Sequence, residues 1–326
     1  MAEITLVEAV TMALAHEMEA DPTVIVFGED VGVNGGVFRA TAGLQQRFGD
    51  ERVIDTPLAE VMIAGMCVGM SSQGVKPVAE AQFEGFMYPM VDHVVNHAAR
   101  LRTRTRGRMS CPMVIRAPWG GGIHAPEHHS DSNEATWAHF PGVRTVIPSS
   151  PSRAYGLLLA AIRDPDPVVF LEPKRIYRWQ REEVDDNGEE LPLDVCYVLR
   201  DGSDITLVTW GAMVKETMEA AAELENQGVS AEVIDVATVA PIDMDTIIES
   251  VQKTGRCVIV HEAPRHCGVG AEIAAGLADA GIWFLTAPVK RVTGYDTVMP
   301  LYRNEMNYMP STERIVHAAN ETLEFE

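Results

Sequence analysis

Apolar positions along this chain alternate between two periods, and each change of period marks an element. After Thr5, a residue suited to cap a helix, Leu6, Ala9, Val10, Ala13 and Leu14 share one helical face, predicting a helix that runs to about Met18. Asp21 and Pro22 interrupt it. Val24, Ile25, Val26 and Phe27 then form an unbroken apolar run of strand length, as expected of a strand covered on both faces. The alternation continues with a short helix at 42–48, a strand at 52–54, a helix from Ala59, a strand at 77–80 and a helix at 88–102. Strands at 113–116, 143–147 and 168–171, with a helix at 152–163, complete the first half. Strands separated by helices in this way predict an α/β fold built on a doubly wound, mostly parallel sheet.

Residues 172–202 break that rhythm with Pro173, Asp185, Asp186, Asn187, Gly188 and Pro192. This reading places a first domain at 1–185, a linker at 186–202 and a smaller α/β C-terminal domain at 203–326. The second domain is read as strands at 205–209, 231–235, 257–260 and 289–292, with helices at 214–226, 244–253, 271–280 and 312–322. No internal repeat and no low-complexity tract is visible.

The length of 326 residues accommodates about two domains, in agreement with the pattern. Charge adds a constraint. With 47 acidic against 26 basic residues the net charge is −21, which repels phosphate backbones, argues against nucleic-acid binding and favours a basic partner. The five cysteines form no CxxC pair, which suggests reduced thiols in a cytoplasmic setting. Glu3 and Glu8 do not fit a signal peptide. The longest uncharged run, 61–75, is too short for a bilayer, so a soluble protein with no membrane contact is expected.

Candidate chemistry concentrates in two stretches. In 55–74, Glu60 is the one carboxylate beyond Asp55, followed by small and apolar residues with Gly65 and Gly69 four apart. A first-turn carboxylate can simply complement the helix dipole, whereas a buried one must find a partner or keep its proton. In 117–133, Gly120, Gly121 and Gly122 precede His124, His128 and His129. A loop of that length is functional or disordered, and histidine is the side chain that moves protons near neutral pH. His129 is read as a general acid or base above the C-terminal strand ends. The competing reading is a metal held by His124, Glu127, His128, His129 and Asp131. Gly268, Gly270 and Gly276 miss the dinucleotide spacing, and His261 and His266 miss the four-residue spacing of zinc-binding helices. The arginines at 100, 102, 104, 106 and 108 read as a solvated helix end.

DTPLAE (55–60), GEDVG (28–32), EAQF (80–83), HHSDS (128–132), PGVRTVIPSSP (141–151) and RDPDPVVFLEPK (163–174) resemble one family. TLVTWGAMV (206–214), KTGRCVIVHEAPR (253–265) and APVKRVTGYDT (287–297) extend the match over nearly the whole chain. The family is that of β subunits of the decarboxylating component of 2-oxo acid dehydrogenase complexes. It includes pyruvate and branched-chain enzymes, with acetoin dehydrogenase a close relative, and it is transketolase-like. The resemblance implies thiamine diphosphate as cofactor, with Glu60 as the carboxylate that meets its aminopyrimidine ring. It also implies Glu29, Leu58, Gln82 and Phe86 in the pyrimidine pocket, Phe86 standing where relatives often carry tyrosine. His129 resembles the histidine that assists acyl transfer to a lipoyl group, though Asp131 stands where many relatives have glutamine. Backbone oxygens at Cys111, Met113, Ala161, Ile162, Asp164 and Asp166 match a potassium site. The chain contains no GDG sequence, so the diphosphate and magnesium are expected on a separate α subunit in an α2β2 tetramer, and the chain alone is expected to be inactive. The resemblance further implies docking of the dihydrolipoyl acyltransferase component, through a small basic domain on the C-terminal domain. It leans to pyruvate or a broad substrate range. Acetoin dehydrogenase is the near alternative. A non-catalytic Rossmann-like adaptor, in which Glu60 and His129 are only structural, is the distant one.

Overall fold

A computed structural model describes residues 2–325 as two compact units. The first comprises the chain up to Trp119 together with Thr136–Leu193. Its strands are β1 (Ala2–Ile4), β2 (Val24–Gly28), β3 (Val53–Asp55), β4 (Lys76–Glu80), β5 (Val114–Trp119), β6 (Arg144–Val146), β7 (Val168–Pro173) and β8 (Glu182–Val184). All but β1 and β8 lie in one sheet, where they run parallel in the order β6-β7-β5-β4-β2-β3. β1 and β8 pair separately and antiparallel. The order reverses at the β2/β4 boundary, because β3 follows β2 on one side and β4 joins it on the other. In open α/β sheets ligands bind beyond the strand ends at such a reversal.

Helix α1 (Leu6–Ala20) begins as the pattern predicts, with Thr5 and Glu8 closing a capping box; the Thr5 N–H donates to Glu8 Oε2 at 2.7 Å. Its buried Ala9, Val10, Ala13 and Leu14 pack on α6 (Pro151–Arg163), which is capped by Ser150. Between them lie α2 (Leu44–Phe48) and α3 (Glu60–Ser72). The helix expected at 88–102 is less regular. Two residues past a 3-10 turn at Tyr88–Met90 comes a wide π-helical stretch, Asp92–Ala98, which hands over to α4 (Ala99–Arg104).

β5 runs three residues past its expected end, so Ala117, Pro118 and Trp119 are buried strand rather than loop. Arginine and proline are poor central-strand residues, which is why the pattern stops at Arg116. The structure accommodates the arginine with buried counter-charges.

The span read as a linker is structured. Tyr155 Oη donates to Asp186 at 2.8 Å and accepts the Gly188 N–H at 2.9 Å, and the Leu191 N–H donates to the Gly156 carbonyl at 3.1 Å, so residues 186–193 belong with the first unit. Residues after Asp194 enter the second unit through the edge strand β9 (Tyr197–Arg200).

The second unit comprises Gly120–Ala135 and the chain from Asp194 on. Beyond β9 it contains β10 (Ile205–Thr209), β11 (Ala231–Asp235), β12 (Thr238–Ala240), β13 (Cys257–Pro264) and β14 (Lys290–Gly294). One sheet has the order β14-β13-β10-β11-β9, parallel except for β9. Leu207, Val233, Val258 and Val260 from that sheet pack with Leu224, Ile315 and Ala319 from flanking helices. Among the described residues no helix is long and apolar enough to cross a membrane.

Candidate active site

The parallel strands of the first unit deliver acidic groups to their C-terminal ends. Gly28 ends β2 opposite Asp55 on one side and Glu80 on the other. A Cβ there would lie 2.4 Å from the Glu80 carbonyl, so only glycine allows this approach. The next residue, Glu29, is 4% exposed, and its Oε1 is buried without a hydrogen-bond partner. Burial raises its carboxyl above the ordinary range and the nearby charge of Glu60 raises it further, against the pull of the Ala59 backbone. The loop after Glu29 is pinned by Asp55, which accepts the Gly32 and Val33 amides at 2.6 and 3.2 Å.

Glu60 is the first residue of α3 and is half-exposed in this chain, whereas Glu29 beside it is buried. Leu58, two residues earlier, is 77% exposed. Gln82 Nε2 donates to Asp30 Oδ2 at 3.2 Å, which ties the end of β4 to the residue after Glu29. Phe86 is half-buried and meets Phe83 edge-on at 5.7 Å, and Phe83 in turn meets Phe38 at 5.6 Å. Glu29, Glu60 and Gln82 therefore gather at the sheet's reversal point, with Leu58 and Phe86 on the segments that carry them.

Sequence reasoning missed the group beneath them. Arg116 is 1% exposed and forks between Glu172, at 2.7 and 3.0 Å, and Glu80, at 3.0 Å. Tyr177 Oη donates to Glu172 at 2.5 Å. Burial pushes the Glu80 carboxyl up to about 7; Arg116 opposes this and Glu172 adds to it. One guanidinium is shared between two buried carboxylates, so Glu80 holds its proton to a higher pH than an ordinary carboxyl does. The available signal was an arginine set in the apolar run MVIRAPW, which demands a buried acid.

His128 and His129 lie on a 3-10 turn, Glu127–His129, in the second unit; His128 is exposed, His129 half-buried, and their rings are 4.5 Å apart. The loop before them has left-handed backbone at Gly120, Gly122 and His124. Two buried carboxylates receive it. Glu305 accepts the Gly122 and His124 amides at 2.7 and 2.8 Å, and Glu262 accepts the Gly121 amide at 3.3 Å and the Ser132 hydroxyl at 3.0 Å.

The positions matched to potassium come from three segments at the opposite, N-terminal edge of the first sheet. The Cys111 carbonyl accepts the Met113 N–H at 2.8 Å, and the Met113 carbonyl accepts the Val168 N–H at 3.0 Å. Ala161 and Ile162 occupy the last turn of α6, where carbonyls lack helical partners. The side chains of Asp164 and Asp166 are engaged by Arg144 and Arg102. Arg102 is thus ion-paired as well as solvated.

A histidine pair with four-residue spacing does occur, at His93 and His97, and it too was missed. With Asp92 it brings three ligand atoms within 4.8 Å of one another on the π-helical turn. That is wider than the separation of about 3.4 Å around tetrahedral zinc.

The transketolase pyrimidine-binding domain pattern matches residues 2–180, and the transketolase C-terminal domain pattern matches 195–315. The chain is 50% identical to the pyruvate dehydrogenase E1 component subunit beta of Bacillus subtilis and 49% identical to that of Staphylococcus epidermidis, over 100% of each chain. Among solved structures, a split-gene transketolase described as an inactive beta4 tetramer superposes with a TM-score of 0.82 at 23% identity, covering 99% of both chains, which shows the shared fold. With the transketolase domain pair spanning it and full-length relatives at half identity, the chain belongs to the family of pyruvate dehydrogenase E1 component β subunits.

Proposed function

We propose that this chain, paired with an α subunit, catalyses decarboxylation of pyruvate and passes the acyl group to a lipoyl group. The observation that carries this reading is the Glu29–Glu60 pair at the reversal point of the first sheet. A buried carboxylate oxygen without a partner, beside a second carboxylate, suits a nitrogen-rich heteroaromatic ring. The aminopyrimidine of thiamine diphosphate is such a ring. When bound, the cofactor supplies a carbon nucleophile that attacks the 2-oxo carbon and takes up the electrons left by departing carbon dioxide.

The residues of this chain do the rest. Two neighbouring carboxylates do not ionise together readily. Burial raises the Glu29 carboxyl, and Glu60, the more exposed of the two, is the acceptor that holds and returns a proton at the ring nitrogen. The Leu58 side chain and the Phe86 ring offer apolar walls, and Gln82 an orienting amide. His129 assists acyl transfer to the lipoyl sulfur as general acid or base. The diphosphate and magnesium belong to the α subunit, and a potassium ion would rest on the last-turn carbonyls of α6. The acidic surface suits a basic docking domain of the acyltransferase.

Co-expression with the α subunit tests the reading, with assays on pyruvate, branched-chain 2-oxo acids and acetoin. Thiamine-dependent turnover greatest on pyruvate, and none from the single chain, is expected. Turnover greatest on acetoin, or by the single chain, would overturn it.

A further inference from the structure

We propose that Glu305 is a positioning residue that holds the loop carrying His129 in its working shape. The inference rests on the assignment of His129 to acyl transfer. Glu305 opens the short helix α10 (Glu305–Tyr308) and is 1% exposed. Both of its carboxylate oxygens are committed to one loop. Oε1 accepts the Gly122 N–H at 2.7 Å; Oε2 accepts the His124 N–H at 2.8 Å and lies 2.6 Å from His124 Nδ1. The Tyr302 ring, three residues before Glu305, packs on the His124 ring at 4.1 Å. The residues so gripped need the grip. Gly122 and His124 have φ of +83° and +62°, and a non-glycine residue is seldom found in the left-handed region without outside contacts to hold it there. Three residues on from His124 the chain enters the turn that presents His128 and His129.

A carboxylate is the one side chain that meets this pattern at this size. Glutamine has the same shape but a single accepting oxygen. Its NH2 group would face an N–H, so Glu305→Gln releases half of the clamp without opening a cavity. The clamp shapes the loop only, so its loss should fall on acyl transfer and spare decarboxylation.

The test compares wild-type, Glu305→Gln and His129→Ala chains, each assembled with the α subunit. Three readouts are taken: hydrogen exchange at the Gly122 and His124 amides, acyl transfer to an isolated lipoylated domain, and decarboxylation with an artificial two-electron oxidant in place of the lipoyl group. In Glu305→Gln, exchange at the amide that faces the NH2 group should speed up by about tenfold or more. Acyl transfer should fall at least about tenfold while decarboxylation stays within about threefold, a split shared by His129→Ala. Unchanged exchange in Glu305→Gln would overturn the clamp, and an equal loss of both reactions would make Glu305 merely structural. If Glu305→Gln speeds exchange and His129→Ala spares acyl transfer, the clamp stands and the assignment of His129 falls. Should Glu305→Gln fail to assemble, His124→Ala keeps the backbone contacts and should show the same changes, smaller; no change in it would overturn the proposal.

Discussion

The two units bury ionisable groups in different ways. In the first, Arg116 is set against Glu80 and Glu172, so charge meets charge beneath the strand ends. In the second, Glu262 and Glu305 receive neutral backbone amides, and His261 is stacked on Trp210 at 5.1 Å with an interplanar angle of 13°. Burial pushes His261 down to about 3, with Arg291 helping, so it stays neutral at ordinary pH. A guanidinium clamp ties neighbouring strands of a sheet together, whereas carboxylates on amides fix the path of a loop. The first arrangement fails when its counter-charge is removed, the second when its donors or its protonation state change.

The largest expected effect breaks the first arrangement. Arg116→Met strands two carboxylates in the core and should cost about 3–5 kcal/mol, read as a lower urea midpoint. A loss under about 1 kcal/mol would mean that the cluster is held by water rather than by charge.

A smaller effect sharpens the contrast through pH. His261 has a folded pKa of about 3, below the unfolded value of about 6.5, so between these the unfolded chain binds the extra proton. Its contribution is fully present above about pH 6.5 and is lost as pH falls toward 3. His261→Phe removes that proton, so relative to wild type the variant should gain about 2 kcal/mol between pH 7 and pH 5. A constant difference across that range would show that His261 is charged or exposed in solution.

Much of the fold was legible because helical and strand periods alternate cleanly, as in α1, α6 and β10. The errors have a common cause. Arg116 and Pro118 hid the end of β5, since their compatibility with a central strand depends on Glu80 and Glu172, far away in sequence. Residues 186–193 look like a linker by composition, yet Tyr155, Arg163 and Gly156 capture them. Within the candidate site, Glu60 stood out as an isolated carboxylate in an apolar stretch, and His129 as a histidine on a long loop that follows three glycines. Glu29 came only through resemblance, because its distinction is a buried oxygen that no local pattern announces. Glu305 gave no signal at all, since its partners lie more than 180 residues upstream.

The central claim is that Glu60 exchanges a proton with the cofactor's ring. Glu60→Gln, assembled with the α subunit, measures this most directly through cofactor affinity and the rate of pyruvate decarboxylation. The account predicts affinity within about fivefold of wild type and a rate lower by about 100-fold or more. Decarboxylation within about twofold of wild type would contradict it.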